Sequence, residues 1–239
     1  MASTPDYKIF SLGDSALTID FGNTIKQSLN DTVISIFNSL HQTPFEGLIE
    51  AVPAYSSLTI YYDIGMLQKK IKNESTVFQW VKNTITERLQ QQKKILNKKE
   101  NIVSIPVCYE KKYAPDLEWM SEHLKISCEE IIQLHGDTTY RVFMLGFLPG
   151  FAYMGTVNNK IEAPRKQKPH NVVEGSVGIA GKQTGIYPLS SPGGWQIIGK
   201  TPLKLFNKKE GSTLLNPGDS VRFYSIIKDE FDNIESRNS

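Results

Sequence analysis

Eleven of the 17 glycines in this chain of 239 residues fall between Gly136 and Gly199. A glycine inside a helix costs about 1 kcal/mol relative to alanine, so a stretch this rich in glycine is not built from long helices. From residue 140 onward, short apolar runs alternate with Gly and Pro: YRVFMLGF, SVGIAG, QTGIYPL, GWQIIG, PLKLF and DSVRFYSI. Many short strands punctuated by turn signals predict a closed or sandwich β architecture, read here as a β-barrel. The strand IVSIPVCY and two helices, PDLEWMSEHL and SCEEIIQLHG, precede most of the barrel strands. In the second helix Ser127 and Glu130 form a capping-box pattern, and Gly136 supplies the stop. The C-terminal KDEFDNIESRNS is polar and reads as a frayed end.

The first 96 residues have a different texture. YKIFSLG and ALTIDFG are strand-like, joined by a turn at Gly13-Asp14-Ser15. Ile25, Leu29, Val33, Ile36, Phe37 and Leu40 then recur at the spacing of one helical face, and Pro44 and Gly47 end that helix. GLIEAVP and SLTIYYD predict a second strand pair, linked through Pro53-Ala54-Tyr55. Val77, Trp80, Val81, Ile85 and Leu89 make the buried stripe of a second helix. The order ββαββα is met most economically by two helices on one face of an antiparallel sheet. The chain therefore reads as α+β, with an α/β domain over residues 1–96, a polar linker (NKKEN) over 97–101, and a barrel domain over 102–239 that carries the candidate site.

Composition removes several function classes. The 27 basic and 25 acidic residues nearly cancel, which argues against a nucleic-acid footprint. The one basic run, QKKILNKKEN, is broken by isoleucine and leucine and reads as a solvated helix end or linker. No apolar run approaches the roughly 18–20 residues a membrane span needs. His41, His123, His135 and His170 are scattered without metal-ligand spacing, so no metal site is expected. Cys108 and Cys128 form no CxxC pair, and the start MASTPDYKIF has neither a basic nor an apolar leader region. The expectation is reduced thiols and a cytoplasmic protein.

Three stretches are candidates for chemistry. FMLGFLPGFAYMG (143–155) combines turn residues with Phe147, Phe151 and Tyr153. It fits either a pocket wall or a barrel corner whose rings fill the core. In APRKQKPH, Pro164 and Pro169 bracket Arg165, Lys166 and Lys168. This is either an anion clamp, since guanidinium grips carboxylate or phosphate through two parallel hydrogen bonds, or an ordinary solubilising loop. GKQTGIYPLSSPGGWQIIGKTP is dense in uncharged hydrogen-bonding groups, and a Gly193-Gly194 turn can offer N–H groups to an anion. Within it GWQIIGKT spells the GxxxxGK[ST] phosphate-loop pattern. Its interior reads as a strand and Pro202 follows, so no helix N-terminus would face a phosphate. His135, at a helix end, suits either acid–base work or capping of the helix dipole.

Taken together, MLGFLPGFAYMG, APRK, GSVGIAGKQTGIYP, SPGGWQIIGKTP and NPGDSVRF, with LGDSALTIDFG near the start, resemble the family of 5-oxoprolinase B subunits. That family is also described as a sporulation-kinase inhibitor and as allophanate hydrolase subunit 1. The resemblance runs from about residue 8 to residue 226. Met154 and Ser191 depart from it, standing where leucine and threonine are expected. It implies a ferredoxin-like N-terminal domain and a cyclophilin-like barrel. It implies work in a complex with C and A subunits that opens 5-oxo-L-proline to L-glutamate with ATP and its Mg counter-ion. No biotinylation site is found on this chain. Alternatives it leaves open are docking to a sensor histidine kinase and an allophanate-hydrolase or urea-carboxylase-related role.

In the enzyme reading Arg165 holds the substrate carboxylate or the transferring phosphoryl charge, His135 manages a proton, and Gln183 binds amide or phosphate oxygens. Further contacts are expected from Gly146, Phe147, Pro149, Gly150 and Phe151 of the aromatic loop. Lys166, Ser191, Gly193, Gly194 and Trp195 supply the rest.

Overall fold

The computed structural model describes residues 5–71, 76–91 and 102–237. The predicted linker at 97–101 and the basic run at 92–101 lie outside them. The chain divides into two compact units, Met1–Lys99 and Glu100–Ser239.

In the first unit, β1 (Lys8–Ser11), β2 (Ala16–Asp20), α1 (Gln27–Gln42), β3 (Leu48–Pro53), β4 (Ser57–Tyr62), α2 (Ile64–Lys70) and α3 (Val77–Gln91) follow in order. The four strands form an antiparallel sheet in the order β1-β2-β4-β3. Leu17, Ile19, Leu58 and Ile60 alternate onto the face that packs Val33, Ile36 and Leu40 of α1 and Val81, Ile85 and Leu89 of α3. Buried Asn30 on α1 donates to Ala54 O (3.2 Å) and Tyr55 O (3.3 Å), which pins the β3–β4 turn to the helix.

Two details differ from the sequence reading. Ile25 precedes α1 and is exposed rather than part of its stripe. The short helix α2 is not predicted, because seven residues directly after a strand leave little periodicity. Its signal is Asp63, whose carboxylate caps Met66 N–H at 2.9 Å.

Arg88 on α3 closes the open end of α1. Its guanidinium donates to Ser39 O (3.3 Å), Thr43 O (2.6 Å) and Thr43 Oγ1 (3.2 Å). Ser39 O also accepts from Thr43 N–H (3.0 Å) and Thr43 Oγ1 (3.0 Å), so the guanidinium reinforces the C-terminal cap, and a cation there also favours the helix dipole. Arg88→Ala is expected to destabilise the chain by about 2 kcal/mol, read as a lower urea midpoint at unchanged m-value. An unchanged midpoint would show that the cap contributes nothing.

The second unit contains β5 (Ile102–Val107), α4 (Leu117–Leu124), α5 (Cys128–Gly136), β6 (Thr139–Leu145), β7 (Ala152–Gly155), β8 (His170–Val172), β9 (Ser176–Ala180), β10 (Gln183–Ile186), β11 (Ser191–Gly193), β12 (Gln196–Lys200), β13 (Phe206–Asn207), β14 (Ser212–Thr213), β15 (Ser220–Ser225) and α6 (Lys228–Arg237). Seven strands make one sheet in the order β12-β9-β10-β7-β6-β15-β5, with β15 and β5 parallel. The two ends of that sheet meet. Cys108 N–H donates to Lys200 O (2.8 Å) and Lys200 N–H to Cys108 O (3.0 Å), so the sheet is nearly closed into a barrel. Period-two alternation turns Val142, Ala152, Met154, Val177, Ile179, Ile186, Ile198, Val221 and Phe223 inward. Leu117 and Met120 of α4 and Ile131 of α5 pack into the same core.

The Ser127 cap is present, with Glu130 N–H donating to Ser127 Oγ at 3.1 Å. Gly136 is the last helical residue rather than a left-handed stop, and Asp137 caps the helix in right-handed conformation.

The C-terminal segment is corrected from frayed end to helix α6. Phe231 is fully buried and stacks on Tyr113 (ring centroids 4.6 Å apart), while Lys200 Nζ lies 5.2 Å above the Phe231 ring. One large apolar side chain is enough to dock a polar helix when a hole in the barrel seam accepts it. Among the described residues no helix is long and apolar enough to cross a membrane.

Candidate functional site

The candidate site lies on the outer face of the β7–β10–β9 strands. On β10, Ile186 points into the barrel, as does Thr184, so Gln183 and Gly185 point out. Gly185 stands opposite Gly178 on β9 and Tyr153 on β7. A Cβ on Gly185 would lie 3.1 Å from both Phe151 Cζ and Trp195 Cζ3. These glycines are therefore a floor that lets two large rings lie against the sheet.

Phe151 is the hub of the ring cluster. Its centroid is 4.8 Å from Tyr153, 5.2 Å from Tyr187 and 5.4 Å from Trp195, all edge-on. Phe151 and Trp195 are buried and serve as the foundation. The exposed surface belongs to Phe147, 60% exposed, and in part to Tyr153.

The turn after β6 explains why so many rings crowd a segment that must reverse. Leu148 N–H donates to Gly146 O (2.9 Å) across Phe147, whose φ is 69°. This is the positive-φ form of the γ-turn, a strained conformation for a residue with a side chain. Next, Phe151 N–H donates to Leu148 O (2.9 Å) around Pro149 and Gly150, with Gly150 at φ 84°, the pattern of a type II turn. Two turns in succession drive Phe151 inward and leave Phe147 outward, edge-on to Phe151 at 5.6 Å and to Tyr187 at 6.4 Å.

The cationic loop is tied down on both sides of one residue. Ala163 O accepts from Gly181 N–H (2.7 Å), and Pro164 O accepts from Gln196 Nε2 (2.9 Å). Lys166 N–H donates to Gly194 O (2.7 Å), and Lys166 Nζ pairs with Asp116 Oδ2 at 2.6 Å. Lys166 is thus an anchor, and its charge is already matched. Arg165 stands between these anchors, exposed, and makes no ion pair among the described residues. Burial pushes the hydroxyls of Tyr153 and Tyr187 above the usual tyrosine range, and the charge of Arg165 opposes that shift at both. The charge of Arg165 is thus felt at both hydroxyls.

Gly193 is needed for a different reason than anion binding. A Cβ there would fall on the Tyr187 hydroxyl. That hydroxyl is held by the Trp195 amide, so this N–H is not on offer to a ligand. Gly194 contributes its carbonyl to Lys166, and Ser191 Oγ is buried without a hydrogen-bond partner among the described residues. Gly193→Ala is expected to displace Tyr187 and destabilise the barrel unit by about 1–3 kcal/mol, measured by urea unfolding. Wild-type stability in that variant would show that the turn has room to spare.

The GWQIIGKT string is no phosphate loop. Gln196–Lys200 is strand β12, Lys200 pairs with Glu235 at 3.3 Å, and Thr201 Oγ1 accepts from Leu203 N–H.

His135 does not join the other candidates. It is fully buried in the barrel core, and Thr184, which it contacts, faces inward while Gly185 faces the aromatic patch. Thr184 Oγ1 donates to Gly178 O (3.1 Å), so it accepts from His135 Nε2 (3.0 Å), and Nδ1 accepts from the Tyr109 hydroxyl (3.0 Å). Both ring nitrogens are used by a neutral imidazole, and burial lowers its pKa to about 3. A proton shuttle at neutral pH needs an accessible nitrogen and a pKa nearer 7, so the role expected of His135 is replaced by a structural one.

The residue that sequence reasoning missed is Asp116. It precedes α4 and reads locally as a helix start, with nothing to announce a partner in a loop far along the chain.

The geometry defines a two-unit α/β protein whose near-closed barrel carries a buried ring cluster on one outer face and an exposed arginine, Arg165, whose charge reaches Tyr153 and Tyr187 of that cluster. Residues 7–215 match the family described as carboxyltransferase domain, subdomain C and D. A protein of Bacillus subtilis, named as the B subunit of 5-oxoprolinase, is 44% identical over 95% of this chain and 96% of its own length. Its namesake from Escherichia coli O157:H7 is 33% identical over 90% of this chain and 94% of its own length. Among solved structures, that of the protein TTHA0988 superposes with a TM-score of 0.75 at 32% identity. The match covers 89% of this chain and 40% of that longer one. The chain belongs to the carboxyltransferase C and D family, in the branch of the 5-oxoprolinase B subunits.

Proposed function

We propose that this chain is the B subunit of an ATP-dependent 5-oxoprolinase that opens 5-oxo-L-proline to L-glutamate together with C and A subunits. The observation that carries the reading is the 44% identity to a protein of that name across nearly the full length of both. The site adds a chemical reason. A small anionic ring needs one strong cation and an apolar wall, and Arg165, whose charge reaches Tyr153 and Tyr187, together with the exposed Phe147 would offer that pair. In this reading Arg165 grips the substrate carboxylate through two parallel hydrogen bonds, Gln183 at the edge of the same face bonds the lactam, and Phe147 screens water.

ATP, with Mg as its counter-ion, belongs here to the assembled complex, where it supplies the phosphoryl group that activates the lactam carbonyl. The described residues hold no cluster of three or more metal-ligating side chains, and their one phosphate-loop string is a strand. In this reading this chain's own part is substrate positioning through Arg165 and Gln183. The strand order β1-β2-β4-β3 supports a ferredoxin-like first domain, and the near-closed seven-stranded sheet supports a cyclophilin-like second one.

The test is glutamate release from 5-oxo-L-proline, with and without ATP, by this chain co-expressed with its C and A subunits and with each omitted in turn. Activity that needs all three chains and ATP is expected. A soluble, assembled complex without turnover would overturn the reading and favour docking to a sensor histidine kinase.

A further inference from the structure

Asp116 occupies the N-cap position of α4, yet its side chain makes no capping bond to that helix. Aspartate is among the preferred residues there because it satisfies an orphan amide of the first turn. Here the carboxylate turns away. Oδ2 accepts from Ile197 N–H at 2.7 Å and pairs with Lys166 Nζ at 2.6 Å, while Asp116 N–H donates to Ile197 O at 3.0 Å. The Lys166 and Asp116 side chains are 18% and 16% exposed, more enclosed than the pairs made by Lys70, Lys111, Lys160, Lys200 and Lys228. Surface pairs are loosely held, whereas an enclosed pair fixes its partners because breaking it strands a charge away from water.

We propose that Asp116 is the positioning residue for Arg165, acting through Lys166. The inference rests on the reading of Arg165 as the substrate clamp. The chain of contacts is short. Asp116 holds the Lys166 ammonium and the start of β12. Lys166 N–H then bonds Gly194 O, and Gln196 holds Pro164 O on the other side of Arg165. The backbone at Arg165 is so braced at both neighbours, while its side chain is exposed and makes no ion pair among the described residues. A guanidinium held in place loses less freedom on gripping a carboxylate, which strengthens binding of substrate and transition state alike.

Asp116→Asn keeps the shape and an acceptor for Ile197 N–H but removes the charge that holds Lys166. Lys166→Met removes the ammonium and keeps the stem. In the assembled complex each is expected to raise KM for 5-oxo-L-proline about tenfold with kcat within about twofold. The double variant should be no worse than either single, since both break one link. Hydrogen exchange across residues 163–168 should quicken in both variants.

Unchanged KM in both variants, with Arg165→Ala inactive, overturns the positioning role alone. An active Arg165→Ala overturns both the clamp and its positioning. If the complex shows no turnover at all, unchanged exchange protection in the variants still overturns the link. Should Asp116→Asn fail to fold, Lys166→Met carries the test, because it leaves the Asp116–Ile197 bond intact.

Discussion

Arg165→Ala is expected to lower kcat/KM for 5-oxo-L-proline by about 10³-fold while leaving the chain folded. Losing one partner of a hydrogen-bonded charge pair costs about 2–5 kcal/mol, and each 1.4 kcal/mol is tenfold. The fold is spared because Arg165 is exposed and makes no ion pair among the described residues, and exposed substitutions of that kind change stability by about 0.5 kcal/mol or less. Arg165→Lys keeps the charge but not the planar fork, so its loss should be intermediate, about 10- to 100-fold. The two measurements are glutamate release by the assembled complex and the urea midpoint of the isolated chain. Wild-type turnover in Arg165→Ala sinks the clamp. Lost turnover with an equally lost midpoint would make Arg165 a structural residue instead.

His135 is expected to dominate the acid sensitivity of the barrel unit. Its folded pKa of about 3 lies below the ordinary value of 6.5 because burial penalises the charged ring. Below pH 6.5 the unfolded chain therefore binds a proton that the folded chain refuses. Stability from this group is complete above about pH 6.5 and falls as pH drops toward 3, with a limiting slope near 1.4 kcal/mol per pH unit. Over the full window the loss is on the order of 4 to 5 kcal/mol.

His135→Gln should remove that slope. It should also cost about 2–4 kcal/mol at pH 7.5, because Tyr109, Thr184 and Phe223, whose ring is stacked on the imidazole, lose their partner. Urea unfolding of both proteins between pH 4 and 7.5 is the check. The informative quantity is the difference between the two curves, since surface carboxylates contribute to each. Parallel curves would mean that some other group titrates. A folded His135→Gln complex should turn over substrate at the wild-type rate, as a structural role predicts.

Elements with strong local periodicity are legible in the amino-acid order alone. Residues Val77 to Leu89 repeat at 3.6 and form α3, the runs SLTIYY and SVGIA are strands β4 and β9, and Ser127 with Glu130 caps α5. Each depends on neighbours within a few positions. The three candidate stretches are legible too, because turn chemistry and ring content are written locally.

Their division of labour is not. Phe151 and Trp195 become foundation and Phe147 becomes surface through one strained turn. Lys166 becomes an anchor because Asp116 meets it, and Gly193 serves the Tyr187 hydroxyl. Helix α6 escapes a local reading because a single buried ring, Phe231, carries it and its cavity is made by distant residues.

By itself, then, the sequence determined the strongly periodic elements, the family, and the loops that carry chemistry. Tertiary structure alone decided which groups meet, for a physical reason visible in the distances along the chain. His135 bonds Thr184 49 positions away, and Asp116 bonds Ile197 81 positions away. Hydrophobic periodicity reports which face of an element is buried. The partner a polar group finds there depends on how the sheet curls and closes, and that closure at Cys108 and Lys200 has no local signature. Within that barrel one histidine, His135, is buried in the core, while Arg165 is exposed.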